Sequence, residues 1–322
     1  MFSDTSIQQY SEFIKEKAIS IGFDLVGIAN VEEFNQEFSH FQEWINAGYH
    51  GSMGYMATQQ EKRKDITLIL PEAESVIVVG LNYYTDVKHT GDCTQGKISR
   101  YAWGTDYHEI LPAMMQSLSK ELTELVPNSQ HKFYVDTGPI LEKQWAIKAG
   151  LGWQGKHSNI INREIGSWFF IGVIISTIPL SASKPITDYC GTCTACIDAC
   201  PTHAIIEPYK VDATKCISYW TIETKPDIQI PDAISENLQQ WVFGCDICQE
   251  VCPWNTFQKE TNKELFFPRN NEISLSLDAI ASMTQEEFST RFKKSPIKRT
   301  KLAGLKRNAE ALLSNNTKDN PL

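Results

Sequence analysis

The stretch that decides the fold is CGTCTACIDACP at 190–201, and a second stretch, CDICQEVCP at 245–253, matches it. The first stretch has the spacing C-x2-C-x2-C-x3-C-P, and the second has the spacing C-x2-C-x3-C-P. Cys216 lies between them and supplies the thiol that the second stretch lacks. Only Cys93 lies outside this region, so the other cysteines cluster in a way that indicates a metal site.

This spacing predicts two 4Fe–4S clusters. In bacterial-ferredoxin-type runs, the fourth cysteine binds the other cluster, so the eight thiols divide into two sets of four. The first set is Cys190, Cys193, Cys196 and Cys252, and the second set is Cys200, Cys216, Cys245 and Cys248. Pairs of C-x2-C also bind zinc, but two runs that both end in C-x3-C-P favour iron–sulfur clusters. We therefore expect a redox protein that transfers single electrons.

The rest of the composition predicts a cytoplasmic protein without disulfides or a membrane span. The N-terminus, MFSD, has neither a basic segment nor an apolar signal segment, and the cytosol keeps thiols reduced. The charge-free stretch 165–183 is long enough to be tested as a membrane span. Its glycines, serines and proline, together with a short β-branched core, predict a buried strand instead.

Hydrophobic periodicity divides the chain into three regions. Residues 1–180 alternate between helical and extended patterns, 181–262 hold the cysteines, and 263–322 become helical and basic. Helices are predicted at 7–20, 34–47, 107–125 and 141–149, and strands at 23–29, 76–81, 133–136 and 168–176. This alternation indicates a layered domain that mixes helices with a sheet.

The charge distribution is uneven. The segment 291–309 holds eight basic residues and no acidic one, within a chain whose formal net charge is −9. A charge run of this kind is ordinarily a solvated helix face. Here the concentration of positive charge in an otherwise acidic protein favours a contact with the phosphates of a nucleic acid.

Three further motifs resemble the epoxyqueuosine reductase family. They are ISRYAWGTDYHEIL at 98–111, VDTGPILEKQWAIKAGLGWQGKHSNIIN at 135–162 and SPIKRTKLAGLKRN at 295–308. The resemblance implies an α+β fold: a nitroreductase-like cobalamin domain at 1–180, a ferredoxin-like two-cluster domain at 181–262, and a short helical region at 263–322. It also implies reduction of the epoxide of epoxyqueuosine to queuosine in the anticodon loop of tRNA.

The same resemblance implies a set of site residues and partners. The expected proton donor is Asp136. The expected cobalamin contacts are Arg63, Ser99, Arg100, Tyr107, His108, Asp136, Lys156, Asn159, Ile160, Ser218, Cys245 and Asp246. The expected tRNA contacts are Lys225, Lys298, Arg299, Lys301, Lys306 and Arg307. An external one-electron donor is expected, and the enzyme is expected to act as a monomer.

Asp136 has two interpretations. Loss of an epoxide oxygen requires two electrons and a proton for the leaving oxygen, and a buried carboxyl at the end of strand 133–136 would have a raised pKa and act as the acid. Alternatively, Asp136 or Thr137 is the N-cap of a helix that starts at Pro139. The resemblance favours catalysis.

Two nearby motifs are weaker. Asp106 and His108 begin a D-x-H-x-x-G cobalt-ligating motif, but Leu111 stands where the motif has glycine, so we expect cobalt without a protein histidine. The glycines at 150, 152 and 155 lack phosphate-loop spacing and are interpreted as sites where the backbone approaches a large planar ligand. A helix C-cap is the alternative for Gly150.

Other functions fit less of the sequence. A reductive dehalogenase-like enzyme acting on a small substrate predicts an export signal, which the N-terminus lacks. A non-catalytic iron–sulfur electron carrier leaves the first 180 residues unexplained. An RNA-binding protein with structural clusters predicts tRNA affinity without turnover.

Overall fold

The structure, a computed structural model, describes residues 3–319 except for the side chains at 271 and 317–319. Its main sheet has four antiparallel strands: β1 (Leu25–Asn30), β2 (Ser75–Asn82), β4 (His131–Tyr134) and β7 (Phe169–Ser176). They lie in the order β1–β2–β7–β4. Every residue of β2 is buried, because helices cover both faces of the sheet.

Four helices form the two outer layers. Alternate residues of β2 point to opposite faces, so Ile77 and Val79 face one helical layer while Val76 and Val78 face the other. The first layer holds α1 (Asp4–Ile21) and α4 (Tyr107–Leu125). The second layer holds α2 (Gln36–Asn46) and α5 (Glu142–Lys148), while the short α3 (Gln60–Lys64) precedes β2.

A second sheet joins distant parts of the chain. Its central strand β3 (Gln95–Ile98) pairs in parallel with β10 (Trp241–Phe243) and antiparallel with β11 (Ser274–Ser276). Helices pack around it: α7 (Ile217–Ile222), α8 (Asp232–Ser235), α10 (Leu277–Ser282), α11 (Gln285–Arg291) and α12 (Lys301–Asp319).

The cysteine region is built from short elements. Helices α6 (Ala195–Asp198) and α9 (Ile247–Glu250) contact each other and carry cysteines from the two runs. Two small hairpins complete this part, β5 (Trp153–Gln154) with β6 (Ile160–Ile161), and β8 (Ile205–Glu207) with β9 (Lys210–Val211).

Most predicted elements are confirmed. The helix predicted at 107–125 has those bounds, and the charge-free stretch 165–183 contains β7, which lies inside the main sheet. Within the described residues 3–319, no helix is long and apolar enough to span a membrane. The division at 180 and 262 stays a prediction, although the second sheet takes one strand from each of the three regions.

Candidate active site and iron–sulfur centre

Four cysteines line one cavity of about 300 Å³. They are Cys190, Cys193, Cys196 and Cys252, the set predicted to bind the first cluster. Burial raises the pKa of Cys196 to about 11, and the thiols of Cys252 and Cys190 add to that shift. Thiols crowded in this way need a cationic centre before they can all ionise, and iron supplies one.

The other four cysteines form a second group beside the first. Burial raises the pKa of Cys245 well above its ordinary value, and the thiols of Cys248 and Cys216 contribute. Burial also raises the pKa of Cys248. Electrostatic interactions with Cys216, with Cys200 and with Cys196 of the first set add to that shift. The two groups therefore lie within electrostatic range of each other. Cys93, by contrast, is exposed.

Asp136 lies in a turn that follows β4. Its φ of 49° is left-handed, and its backbone N–H donates to Glu142 Oε1 at 2.6 Å. The turn also requires glycine at 138, because a Cβ there would lie 2.3 Å from the ring of Tyr134. The carboxylate accepts a hydrogen bond from the Tyr107 hydroxyl, and its Oδ1 lies 2.8 Å from His108 Nε2.

Two expectations about Asp136 are wrong. Helix α5 begins at Glu142 with Leu141 as its N-cap, so neither Asp136 nor Thr137 caps it. The Asp136 side chain is also 42% exposed, so it is not the buried carboxyl that was expected. Hydrogen bonds from two neighbours on α4 hold it instead.

His108 bridges two carboxylates. Its Nδ1 lies 2.9 Å from Asp106 Oδ1, and Asp106 is also the N-cap of α4. Hydrogen bonds with Asp106 and Asp136 raise the pKa of His108 to about 9, although partial burial opposes the shift. At neutral pH this histidine is therefore an imidazolium, and both ring nitrogens are engaged.

Glu142 and Arg63 contact the backbone of the turn that contains Asp136 and the residues after it. Burial, followed by the charge of Asp136, raises the pKa of Glu142 to about 8. Arg63 is buried and donates to the carbonyls of Ile140 at 3.2 Å and Tyr55 at 3.2 Å. The family resemblance implies Arg63 as a cobalamin contact, which stays a prediction; in the structure its guanidinium holds the turn. Glu142 was not predicted, since nothing in its spacing separates it from a surface glutamate.

A second group of polar contacts surrounds Asp246, which lies between two cysteines of the second set in the sequence. Asp246 is 1% exposed, accepts from the Ser99 hydroxyl at 2.5 Å and accepts from the Arg100 N–H at 2.7 Å. Tyr101 interacts electrostatically with both Asp136 and Asp246, so both carboxylates lie within electrostatic range of its ring. We call Tyr107, His108 and Asp136 the aspartate wall, and Ser218, Cys245 and Asp246 the cluster wall.

The remaining predicted cobalamin contacts occupy different surroundings. The Lys156 ammonium is buried and donates to the Gly191 and Cys193 carbonyls at 2.7 and 2.9 Å, so it supports the first cysteine cavity. Ser218 hydrogen-bonds to the thiol of Cys216. The guanidinium of Arg100 is buried among aromatic rings.

Lys143 was not predicted, and it lies within electrostatic range of both Glu142 and Cys248 of the second cysteine group. Its Nζ donates to the Ser158 carbonyl at 2.9 Å and to Asn159 Oδ1 at 3.2 Å. The chain continues from Asn159 into Ile160, which is buried in β6.

The interpretation of the glycines is wrong. A Cβ at Gly152 would lie 2.1 Å from the Ile161 carbonyl, and one at Gly150 would lie 2.4 Å from the Lys184 carbonyl. Both glycines thus make room for protein backbone and not for a planar ligand. Gly150 also has a φ of 75° and follows the end of α5, as the C-cap alternative predicts.

The basic segment is only partly available to a partner. Arg307 is buried, and its guanidinium donates to the carbonyls of Lys225 at 2.8 Å and Trp220 at 2.6 Å. The expected phosphate contact for Arg307 is therefore corrected to a structural role. Arg299 forms an ion pair with Glu223 at 2.9 Å. The exposed or half-exposed lysines of the predicted set are Lys225, Lys298, Lys301 and Lys306.

The fold and the cysteine sites define an iron–sulfur oxidoreductase, and the comparisons agree. Residues 189–255 match the model of the 4Fe-4S double cluster binding domain, and residues 63–137 match the model described as Epoxyqueuosine reductase QueG, DUF1730. An epoxyqueuosine reductase of Synechocystis sp. is 48% identical over 291 residues, which cover 89% of this chain and 100% of the relative. The chain belongs to the epoxyqueuosine reductase family.

Solved structures give the same result. The crystal structure of epoxyqueuosine reductase with an epoxyqueuosine-modified tRNA-Tyr stem loop superposes with a TM-score of 0.89 at 30% identity, covering 95% of this chain and 81% of that one. The Bacillus subtilis enzyme, solved with its aspartate-containing catalytic loop swung out of the active site, has a TM-score of 0.88 at 29% identity, with coverage of 95% and 82%. The expected fold class is confirmed.

Proposed function

We propose that this chain reduces the epoxide of epoxyqueuosine to the alkene of queuosine in the anticodon loop of tRNA, with Asp136 as the proton donor. The observation that carries the proposal is the position of Asp136, which is exposed and held by Tyr107 and His108. It lies within electrostatic range of Tyr101, as does Asp246, which stands between the cluster ligands Cys245 and Cys248 in the sequence. Removal of the epoxide oxygen as water consumes two electrons and two protons. The aspartate wall is built to deliver the protons.

The proton path begins at His108 and continues through Asp136. The imidazolium of His108, 2.8 Å away, passes its proton to Asp136 Oδ1, and Asp136 transfers it to the leaving oxygen. His108 regains a proton from solvent and passes the second one by the same route. Asp106 then stabilises His108 from the other ring nitrogen at 2.9 Å. Tyr107 and the Glu142 contact to the Asp136 N–H orient the carboxyl group, so their role is positioning.

The polar groups of the two walls and their neighbours suit the corrin cofactor that is expected for this family. A corrin rim carries amides, and the Lys143 amine, the Asn159 amide and the Ser218 hydroxyl are groups that could bind them. Both ring nitrogens of His108 are engaged by carboxylates, so we expect that this histidine does not bind cobalt. Cobalamin, when bound, supplies a cobalt centre that takes single electrons from the clusters and reduces the epoxide.

The surface beside Asp136 suits a tRNA loop. Arg299 interacts electrostatically with both Asp136 and Asp106, so the basic segment borders the aspartate wall. Lys298 and Lys301 are exposed on that segment. Lys225, whose backbone carbonyl accepts from Arg307, is exposed as well. These lysines would neutralise phosphates while the modified base approaches Asp136. A tRNA substrate implies a cytoplasmic enzyme, which we expect to be a monomer served by an external one-electron donor.

Anaerobic turnover tests the proposal. Reconstituted protein, cobalamin and a strong one-electron reductant are mixed with epoxyqueuosine-containing tRNA, and the digested nucleosides are analysed by mass spectrometry. We expect loss of one oxygen from the nucleoside, which requires cobalamin and fails in Asp136→Ala. An intact nucleoside with reduced clusters and bound cobalamin would overturn the assignment of the substrate.

A further inference from the structure

The hairpin β5–β6 carries a tight turn against the cavity of the first cysteine set. The Ser158 N–H donates to the Gly155 carbonyl and the Gly155 N–H to the Asn159 carbonyl, both at 2.8 Å, so the turn is rigid. Lys156 and His157 are the two residues of this turn that line the cavity. Both side chains therefore lie beside the place where a cluster would bind.

His157 has one nitrogen engaged and one without a partner. Its Nδ1 accepts the backbone N–H of Asn159 at 3.2 Å, which assigns the proton of the neutral ring to Nε2. His157 is only 4% exposed, and Nε2 is buried without a hydrogen-bond partner among the described residues. A buried N–H that makes no hydrogen bond is destabilising, so such a group calls for an acceptor.

The cavity offers a cluster as that acceptor. Cys190, Cys193, Cys196 and Cys252 line the same cavity as the imidazole, and no thiol of the four accepts from Nε2. The ring packs beside Gly155, where only glycine leaves it room, because a Cβ there would lie 2.9 Å from His157 Cε1. A cluster bound to these cysteines brings sulfur acceptors into a cavity that otherwise leaves the N–H unsatisfied.

We propose that His157 donates a hydrogen bond from Nε2 to the sulfur of the first 4Fe–4S cluster and thereby raises its reduction potential. Reduction adds an electron and makes the cluster more negative, so a donor stabilises the reduced state more than the oxidised state. The buried ammonium of Lys156, bound to the carbonyls of Gly191 and Cys193, acts in the same direction by charge. His157 is thus a potential-tuning residue and touches no substrate.

An anaerobic redox titration of the holoprotein, followed by EPR spectroscopy, tests the role of His157. In His157→Phe, which fills the same space without a donor, the ratio of reduced to oxidised first cluster at a fixed poise should fall about tenfold. That ratio corresponds to about 59 mV for a one-electron couple. His157→Gln, which keeps an N–H donor, should restore most of the shift. Cys193→Ser identifies which midpoint belongs to the first cluster, and the other midpoint should not move.

His131→Phe is the matched control. Burial lowers the pKa of His131 to about 4, as it does for His157, but His131 lies on β4 and does not line the cysteine cavity. Unchanged midpoints in His157→Phe, at full iron and sulfide content, would overturn the inference. If His157→Phe fails to assemble its cluster, wild-type protein with ¹⁵N-labelled histidine decides. A nitrogen hyperfine coupling to the reduced first cluster that is lost in His157→Gln supports the bond, and absence of the coupling overturns it.

These outcomes are independent of the proposed substrate, because midpoints are measured without tRNA. A shifted midpoint in His157→Phe, with no epoxide reduction by the wild-type protein, would support the hydrogen bond and overturn the proposed function. Epoxide reduction by the wild-type protein, with an unshifted midpoint in His157→Phe, would support the proposed function and overturn the hydrogen bond.

Discussion

The carboxylates of Asp246 and Asp136, on the two walls, lie in different surroundings. On the cluster wall, Asp246 is 1% exposed and accepts from the Ser99 hydroxyl and a backbone N–H. On the aspartate wall, Asp136 is 42% exposed and shares its oxygens with Tyr107 and His108. A carboxylate surrounded by fixed donors anchors structure, whereas an exposed one beside an imidazolium exchanges a proton. In sequence, both are aspartates within a motif.

The basic segment 291–309 shows the same contrast between a buried and an exposed side chain. Arg307 is buried and saturates backbone carbonyls, whereas Lys298, nine positions earlier, is exposed. A count of positive charges treats the two alike. Burial separates a cation that holds the fold together from one that can reach a phosphate.

The largest effect is expected for Asp136→Asn. Asparagine keeps the shape of the side chain but cannot supply the proton, so turnover should fall by about 10² to 10⁴. Single-turnover rates and iron content measure chemistry and cluster assembly separately, and iron content should not change. The exposed Asp227→Asn is the matched control. Near-normal turnover of Asp136→Asn would show that the contrast between the two walls does not reflect proton transfer.

Arg307→Met should act on stability and not on tRNA binding. Loss of the guanidinium leaves the carbonyls of Trp220 and Lys225 without their donor, so the free energy of unfolding should fall by about 3 kcal/mol. Anaerobic denaturant unfolding measures the change. Lys306→Met, on the half-exposed neighbour, should change stability by less than about 0.5 kcal/mol. A stable Arg307→Met protein that binds tRNA weakly would restore the phosphate contact that we exclude.

Local patterns predicted the parts of the fold that local physics controls. The apolar spacing of 107–125 gave the full extent of α4, and cysteine spacing alone predicted the set that lines one cavity. By contrast, β3 is short and half polar, and its partners lie more than 140 residues away, so no periodic signal identifies it. Its existence depends on tertiary pairing, as Gly96 packing against Val242 illustrates.

The site was predictable only where a motif named the residue. Asp136 and His108 came from motifs, but the left-handed turn and the Glu142 contact that position Asp136 depend on a backbone conformation that residue types do not specify. The surroundings of Lys156 were not predictable from its motif either. Its carbonyl partners belong to a loop that only the folded chain brings near.

A smaller effect is expected from the titration of His108. Its pKa is raised from 6.5 to about 9, so the stabilisation from its two carboxylate contacts is fully present below pH 6.5 and is lost as pH rises through about 9. Turnover should follow the same limb, because the neutral ring cannot replace the proton of Asp136. In His108→Asn, turnover should be about tenfold lower and this limb should disappear from the pH profile. An unchanged alkaline limb in the variant would assign the titration to another group.

The smallest effect is expected for Lys298→Gln. One exposed lysine neutralises one phosphate, so removal should weaken tRNA binding a few-fold and reduce the slope of log K against log salt by about 0.7 to 0.9. Single-turnover reduction at saturating tRNA should stay near wild type, since Lys298 is not part of the aspartate wall. Lys120→Ala, an exposed lysine on α4, is the matched control and should leave the slope unchanged. Equal slopes for wild type and Lys298→Gln would mean that the exposed cations of this segment do not touch the tRNA backbone, and the contrast with Arg307 would then concern structure alone.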